Sequence, residues 1–187
     1  DAPVALKLYA FPYAGASPSC YRGLSQQLPE SIATASIQLP AHGARLREAA
    51  LTRVQAMAAQ IGPVIAADCG SGPFCCYGHS LGGLVAFETC RWLRAHGHRL
   101  PLLLAVGARE APTSPARHNL TAEQLDDDRF LQRVNEVYGG VPAAVLEEKE
   151  LLAMLLPGLR ADLEAYETYQ PAPEPPLPIA GAACYAT

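Results

Sequence analysis

Residues 73–83 read Pro73-Phe74-Cys75-Cys76-Tyr77-Gly78-His79-Ser80-Leu81-Gly82-Gly83, and the reading of this stretch decides the fold. The continuous apolar run Pro73–His79 predicts a buried strand. Leu81–His96, stopped by Gly97, predicts a helix directly after it. Between them, Gly78-His79-Ser80-Leu81-Gly82 fits the pattern G-x-S-x-G, which is a nucleophile elbow when it joins a strand to a helix. In such an elbow the serine sits in a strained turn that lifts its hydroxyl above the sheet. Glycines flank it because side chains there would strike the neighbouring strand and helix. The Leu81 N–H, at the positive end of the helix dipole, can then donate to an oxyanion. Neighbouring residues of an extended segment face opposite ways, so His79 reads as a packing group rather than the general base.

Outward from the elbow, short apolar segments punctuated by Gly and Pro alternate with stretches of helical period, the pattern of parallel α/β construction. Val4–Phe11 predicts a first strand, Ser19–Leu28 a helix, Ile32–Leu39 a second strand, and Pro101–Ala108 a strand after the elbow helix. Leu51–Ala67 carries Val54, Met57, Ala58 and Ile61 on one helical face, with Pro63 expected to kink or end the helix. From Pro112 to about Tyr169 only helices are predicted. One starts at a Thr121/Gln124 capping box and ends at Gly139-Gly140, and a second spans Leu146–Leu156 up to Pro157. A third carries Leu159, Leu163 and Tyr166. Pro171, Pro173, Pro175, Pro176 and Pro178 make Gln170–Pro178 a stiff linker, and Ile179–Tyr185 resumes the strand pattern. The chain divides accordingly into an α/β core (1–111), a helical insertion (112–169), and a linker with a returning core strand (170–187).

Composition narrows the function. The 187 residues are half hydrophobic, which excludes disorder, and the glycines and prolines follow no three-residue period. No apolar run approaches the roughly 20 residues of a bilayer-spanning helix. The net charge of −4, with scattered basic residues, argues against nucleic-acid binding. Asp1-Ala2-Pro3 lacks the features of a signal peptide, so a cytoplasmic location is expected. The six cysteines show no CxxC or zinc spacing, and Cys75-Cys76 fall in an apolar run where buried thiols are expected. No metal site is expected.

A second oxyanion donor should come from the loop after the first strand, Phe11-Pro12-Tyr13-Ala14-Gly15-Ala16. Pro12 stops the strand and Gly15 permits close backbone approach, so the amide of Tyr13, or failing that Ala14, can face the same point as Leu81 N–H. This loop together with Gly-His-Ser-Leu-Gly-Gly resembles the stand-alone type II thioesterases of nonribosomal peptide synthetase and polyketide synthase pathways. Further pieces match in order: Gln38-Leu39-Pro40 with Gly43 and Arg45, Ala86-Phe87-Glu88, Gly107-Ala108-Arg109-Glu110-Ala111-Pro112, and Leu155-Leu156-Pro157-Gly158-Leu159-Arg160-Ala161-Asp162. The resemblance spans about Lys7 to Tyr185, and it implies an α/β-hydrolase with a mostly parallel sheet. It implies cleavage of acyl or aminoacyl thioesters from the phosphopantetheine arm of a carrier protein, by a monomer without cofactor. The insertion would be a lid. Leu152, Leu155, Leu159, Leu163 and Tyr166 would line an acyl channel, although plain core packing also explains such a stripe.

One part of the pattern is missing. The fold orders its triad as Ser, acid, His. The resemblance puts the acid at the end of the Ile179–Tyr185 strand, near Thr187, and the histidine beyond it, so neither is found in this sequence. His118 and Asp126–Asp128 lie in the insertion and read as surface groups. His96 and His98 fall some 25 Å along the helix from Ser80, at 1.5 Å per residue. His42 follows the second strand without a supporting role. The 187 residues are therefore expected to lack the last strand and helix of the sheet, to expose a sheet edge, and to be nearly inactive alone. Three competitors remain: a general carboxylesterase or lipase; an acyltransferase, disfavoured by Gly83 where Glu is usual; and a non-catalytic carrier-docking module using Arg91, Arg94 and Arg99. Residual turnover only is expected when the 187-residue chain is assayed on an acyl-pantetheine thioester; a normal rate would contradict this.

Overall fold

The short apolar segments punctuated by Gly and Pro do become strands. In the computed structural model, which describes residues 4–108, 111–114, 116–139 and 148–184, five of them form one parallel sheet. These are β1 (Leu6–Phe11), β2 (Ile32–Ser36), β3 (Phe74–His79), β4 (Leu103–Gly107) and β5 (Ala180–Cys184), in spatial order β2-β1-β3-β4-β5. The crossovers carry helices α1 (Arg22–Gln27), α2 (Val54–Asp68) and α3 (Leu81–Ala95), and between β4 and β5 lie α4 (Asp127–Tyr138) and α5 (Lys149–Glu167). No helix among the described residues is long and apolar enough to cross a membrane. Among the described residues β5 lies at an edge of the sheet, with all five of its residues exposed.

The core joins the sheet residues Tyr9, Phe11, Phe74, Cys76 and Leu104 to Val54, Met57, Ile61 and Ile65 of α2 and to Leu81, Leu84, Val85 and Leu93 of α3. The helices approach closely because Gly62 of α2 leaves room for Trp92; a Cβ at Gly62 would lie 2.1 Å from the indole. Cys76 is fully buried, whereas Cys75 is half-buried, and all six cysteines are free. The β4–β5 helices pack around their own cluster of Leu120, Phe130, Leu131, Val134, Leu156 and Leu163. Arg160 of α5 ties them together, lying 4.0 Å from the Phe130 ring centroid and donating to the Leu125 carbonyl and the Asp127 carboxylate.

Several expectations change. α2 runs through Pro63 to Asp68, and α5 runs unbroken through Pro157 where two helices were expected. Both prolines lie on exposed positions, and so do Ala59 and Ala153, whose carbonyls lose a helical partner; water can satisfy them. The Leu146 start expected for the second helix lies outside the described residues. Thr121 does not cap α4. Its hydroxyl donates to Glu167 at 2.6 Å, and the cap is Asp126, whose carboxylate accepts from Arg129 N–H at 2.9 Å. The second strand ends at Ser36, short of Leu39.

Arg91 and Arg94 are not free to meet a partner. Arg91 is buried, bonding Glu88 at 2.7 Å, Glu174 at 2.5 Å and the Ala172 carbonyl at 2.7 Å. Arg94 holds Glu174 and the Pro175 carbonyl. Tyr169 completes the network by donating to Glu88 at 2.6 Å. These arginines fasten the proline-rich linker to α3, because a linker without backbone ladder bonds needs other donors for its carbonyls.

The elbow depends on close backbone approach at its glycines. A Cβ on Gly82 would sit 2.0 Å from the Phe11 carbonyl oxygen. Backbone cannot yield as a side chain can, so Gly82→Ala is expected to destabilise the fold by about 3 kcal/mol or more, read from chemical denaturation. A loss below about 1 kcal/mol would contradict the packing described.

Candidate active site

Ser80 follows β3 and precedes the first turn of α3, with φ 52° and ψ −118°, a conformation that L residues rarely adopt. Such a backbone costs about 1–3 kcal/mol and persists only where its surroundings enforce it. Here they do. Ser80 N–H donates to the Gly107 carbonyl at 2.9 Å, and the Ser80 carbonyl accepts from Gly83 N–H at 3.0 Å. A Cβ on Gly78 would lie 2.2 Å from the Gly82 carbonyl oxygen, so both glycines of the elbow are sterically required. The parallel register sets Phe11 of β1 opposite Gly78, so the loop leaving β1 arrives beside the elbow.

That loop is shaped for donation. Tyr21 OH donates to the Phe11 carbonyl at 2.7 Å, anchoring its start. Ala16 N–H closes a turn on the Tyr13 carbonyl at 3.0 Å, and Gly15 N–H, at φ 74°, donates to Asp162 Oδ2 at 2.8 Å. Among the described residues the amides of Tyr13 and Ala14 have no such bond, and Leu81, in the first turn of α3, lacks the preceding helical carbonyl that would accept from its N–H. These N–H groups, without a backbone partner among the described residues, flank the elbow.

Above it opens a cavity of about 550 Å³. Ser80, His79, Tyr13, Ala14 and Gly15 line one side, with Ala108. Leu152, Leu155, Leu159, Leu163 and Tyr166, all on α5, line the other, and Leu131, Val134 and Tyr138 of α4 complete it. Ser80, Tyr13, Ala14 and the five α5 residues thus line one cavity, whereas Leu81 does not line it and adjoins Ser80 in the chain. The α4 contribution and Ala108 escape sequence reasoning, because the turn of α4 toward the cavity is set by its packing on α5.

The histidines distribute as follows. His79 lines the cavity, half-buried, its ring edge-to-face with Tyr13 at 5.8 Å, and burial holds its pKa below the ordinary value. His96 and His98 stack on Trp92 at the far end of α3. His118 meets the Tyr138 ring. Asp126 caps α4 and Asp127 pairs with Arg160. The strand end expected to carry the triad acid runs into residues outside the described range, as do Arg109 and Glu110.

His42 is the surprise. Its ring is buried with Nδ1 2.8 Å from the Pro40 carbonyl and Nε2 2.9 Å from Asp162 Oδ2. With the imidazole protonated, this contact is an ion pair. Desolvation disfavours the imidazolium, but the Asp162 carboxylate and the Pro40 carbonyl outweigh it, and the pKa of His42 is raised. The sequence held a signal for this pair: Asp162 is an acid one residue from Leu163 on a helix whose neighbouring positions are apolar.

A family described as "Thioesterase domain" matches residues 6–185. The chain belongs to the thioesterase domain family. It is 36% identical over 169 residues to the gramicidin S biosynthesis protein GrsT of Aneurinibacillus migulanus, covering 88% of this chain and 63% of that one. The RedJ thioesterase from the prodiginine pathway of Streptomyces coelicolor superposes with TM-score 0.86 at 30% identity, covering 98% of this chain and 74% of that one. YbtT, a type II thioesterase from the yersiniabactin NRPS/PKS biosynthetic pathway, gives TM-score 0.82 at 27% identity, covering 98% and 74%. The chain thus spans less than two thirds of the length of the curated relatives it matches first. Its parallel sheet with flanking helices is the α/β-hydrolase fold of these thioesterases.

Within this thioesterase domain the His42–Asp162 pair gives a pH signature. A histidine whose pKa rises on folding contributes its full stability below the unfolded value near 6.5 and loses it as pH climbs through the folded value. Thermal stability is therefore expected to fall as pH rises from about 6.5, and His42→Gln should flatten that fall. An unchanged pH dependence in the variant would contradict the pairing.

Proposed function

We propose that the protein hydrolyses acyl and aminoacyl thioesters carried on the phosphopantetheine arm of carrier proteins, editing nonribosomal peptide or polyketide assembly lines in the cytoplasm. One observation carries the reading. A strained serine opens onto an apolar cavity large enough for an acyl group and flanked by backbone donors without a backbone partner among the described residues. Membership of the thioesterase domain family and the likeness to a type II thioesterase support it.

In this reading the helical insertion, residues 112–169, is a lid over the core of residues 1–111, and the segment 170–187 returns the chain to the sheet. The acyl chain lies along Leu152, Leu155, Leu159, Leu163 and Tyr166. Its thioester carbonyl then meets Ser80. Ser80 Oγ attacks the carbonyl carbon as its proton passes to a general base, and the oxyanion is held by the N–H groups of Leu81 and Tyr13, with Ala14 as the alternative to Tyr13. Collapse of the tetrahedral species breaks the C–S bond; the pantetheine sulfur leaves as the thiol and the acyl group stays on Ser80 as an ester. Water then attacks that ester, releases the carboxylic acid and restores the hydroxyl. The general base and its acid partner are assigned to no residue of this sequence.

Ser80→Ala in the natural gene product is expected to reduce kcat/KM on an acyl-carrier-protein thioester by about 10⁴-fold or more. A variant that keeps its function would favour a docking module, and a strong preference of the natural protein for oxygen esters would favour a carboxylesterase. Leu155→Trp should fill the cavity and shift preference toward short acyl groups, measured as the ratio of kcat/KM for octanoyl and acetyl thioesters. An unchanged ratio would place the acyl group elsewhere.

A further inference from the structure

The Asp162 carboxylate joins three segments that are far apart in sequence. It lies on α5 and is 2% exposed. Its Oδ2 accepts from Gly15 N–H at 2.8 Å and faces His42 Nε2 at 2.9 Å. The approach of these segments is tight on every side. A Cβ on Gly15 would lie 3.0 Å from Leu159 Cδ1, one on Gly158 would lie 2.8 Å from the Ala41 carbonyl oxygen, and Ala41 itself stands at φ 64°. The His42 loop is in turn held by Gln38 Nε2, which donates to the His42 carbonyl, and by Arg45, which donates to the Gln38 carbonyl.

We infer that Asp162 is a positioning residue for thioester cleavage: by accepting from Gly15 N–H it fixes the turn that aims the Tyr13 and Ala14 amides at the reacting carbonyl, and His42 holds the carboxylate in place. The inference rests on the thioesterase reading of this site. Engaging the Gly15 amide removes it as a donor to the oxyanion and leaves the two preceding amides without a partner among the described residues. Donors act on a transition state only if they are already aimed at it, so their orientation needs an anchor outside the loop. The anchor is a buried charge, which bonds an amide more strongly than a neutral acceptor does. Because α5 also carries the cavity wall of Leu155, Leu159 and Leu163, the same helix sets the acyl channel and the oxyanion donors.

The test uses the natural gene product and steady-state hydrolysis of one acyl-carrier-protein thioester by four forms: wild type, Ser80→Ala, Asp162→Ala and Asp162→Asn. A misaligned reacting group costs on the order of 10²-fold, so Asp162→Ala should lose about that in kcat while KM stays within about threefold. Asparagine keeps an oxygen for Gly15 N–H. Asp162→Asn is therefore expected to recover kcat to within about tenfold of wild type. Wild-type kcat in a folded Asp162→Ala protein, a loss confined to KM, or an asparagine variant as impaired as the alanine would each overturn the inference. Should Asp162→Ala fail to fold, NMR of the wild type and Asp162→Asn decides. The Gly15 amide proton should lie downfield in the wild type and move upfield in the variant, and a shift that does not move would overturn it. Full thioester turnover by Ser80→Ala would defeat the thioesterase reading itself. A dead Ser80→Ala beside a normal Asp162→Ala would defeat only the role of Asp162.

Discussion

The close approach of Gly82 to the Phe11 carbonyl is the constraint on which the rest of the molecule depends. It holds the start of α3 against the end of β1, and so fixes both halves of the site at once. Ser80 keeps its unfavourable backbone because Gly78, Gly82 and Gly83 allow strand, turn and helix to interlock around it, with Val106 filling the space beside Gly83. The parallel order β1-β3-β4 then brings three carboxyl-terminal strand ends to one edge, where the loops carrying Tyr13, Ser80 and Ala108 meet. Ligands of open parallel sheets bind outside these strand ends, and the cavity lies there.

A sheet edge alone would leave the serine open to water. The β4–β5 helices change that by supplying most of the apolar wall, while their own cluster around Phe130 keeps them a packed unit. Ala165 of α5 and Tyr169 join the main hydrophobic core, and polar contacts add direction to that seating. Asp162 is removed from water and is tolerable only because His42 and the Gly15 amide face it. Elsewhere Glu167 fastens the Leu120–Thr121 segment to α5, and Glu174 bridges Arg91 and Arg94 to fix the linker before β5. These contacts are directional, and they set where the apolar surfaces come to rest.

The elbow, the strand–helix alternation and the leucine stripe were legible because each is a local pattern: a motif between a strand and a helix, apolar runs cut by glycine and proline, and a helical period. Misreadings arose where a non-local partner decided the outcome. Pro63 and Pro157 do not break their helices because they face water, which local sequence does not reveal. Thr121 is drawn from its capping role by Glu167, a residue 46 positions away. Arg91 and Arg94, candidates for a carrier-docking surface, are instead engaged by the linker, whose return to α3 local sequence does not show. His42 and Asp162 could each be noticed, but their pairing depends on how α5 lies on the core.

Trapping the covalent intermediate tests the central claim most directly. The natural gene product, mixed with an acyl-carrier-protein thioester and quenched within a turnover, should carry the acyl mass on the proteolytic fragment that contains Ser80, and hydroxylamine should remove it. An acyl group on another residue, or rapid thioester hydrolysis with no acylated fragment at any quench time, would contradict the account.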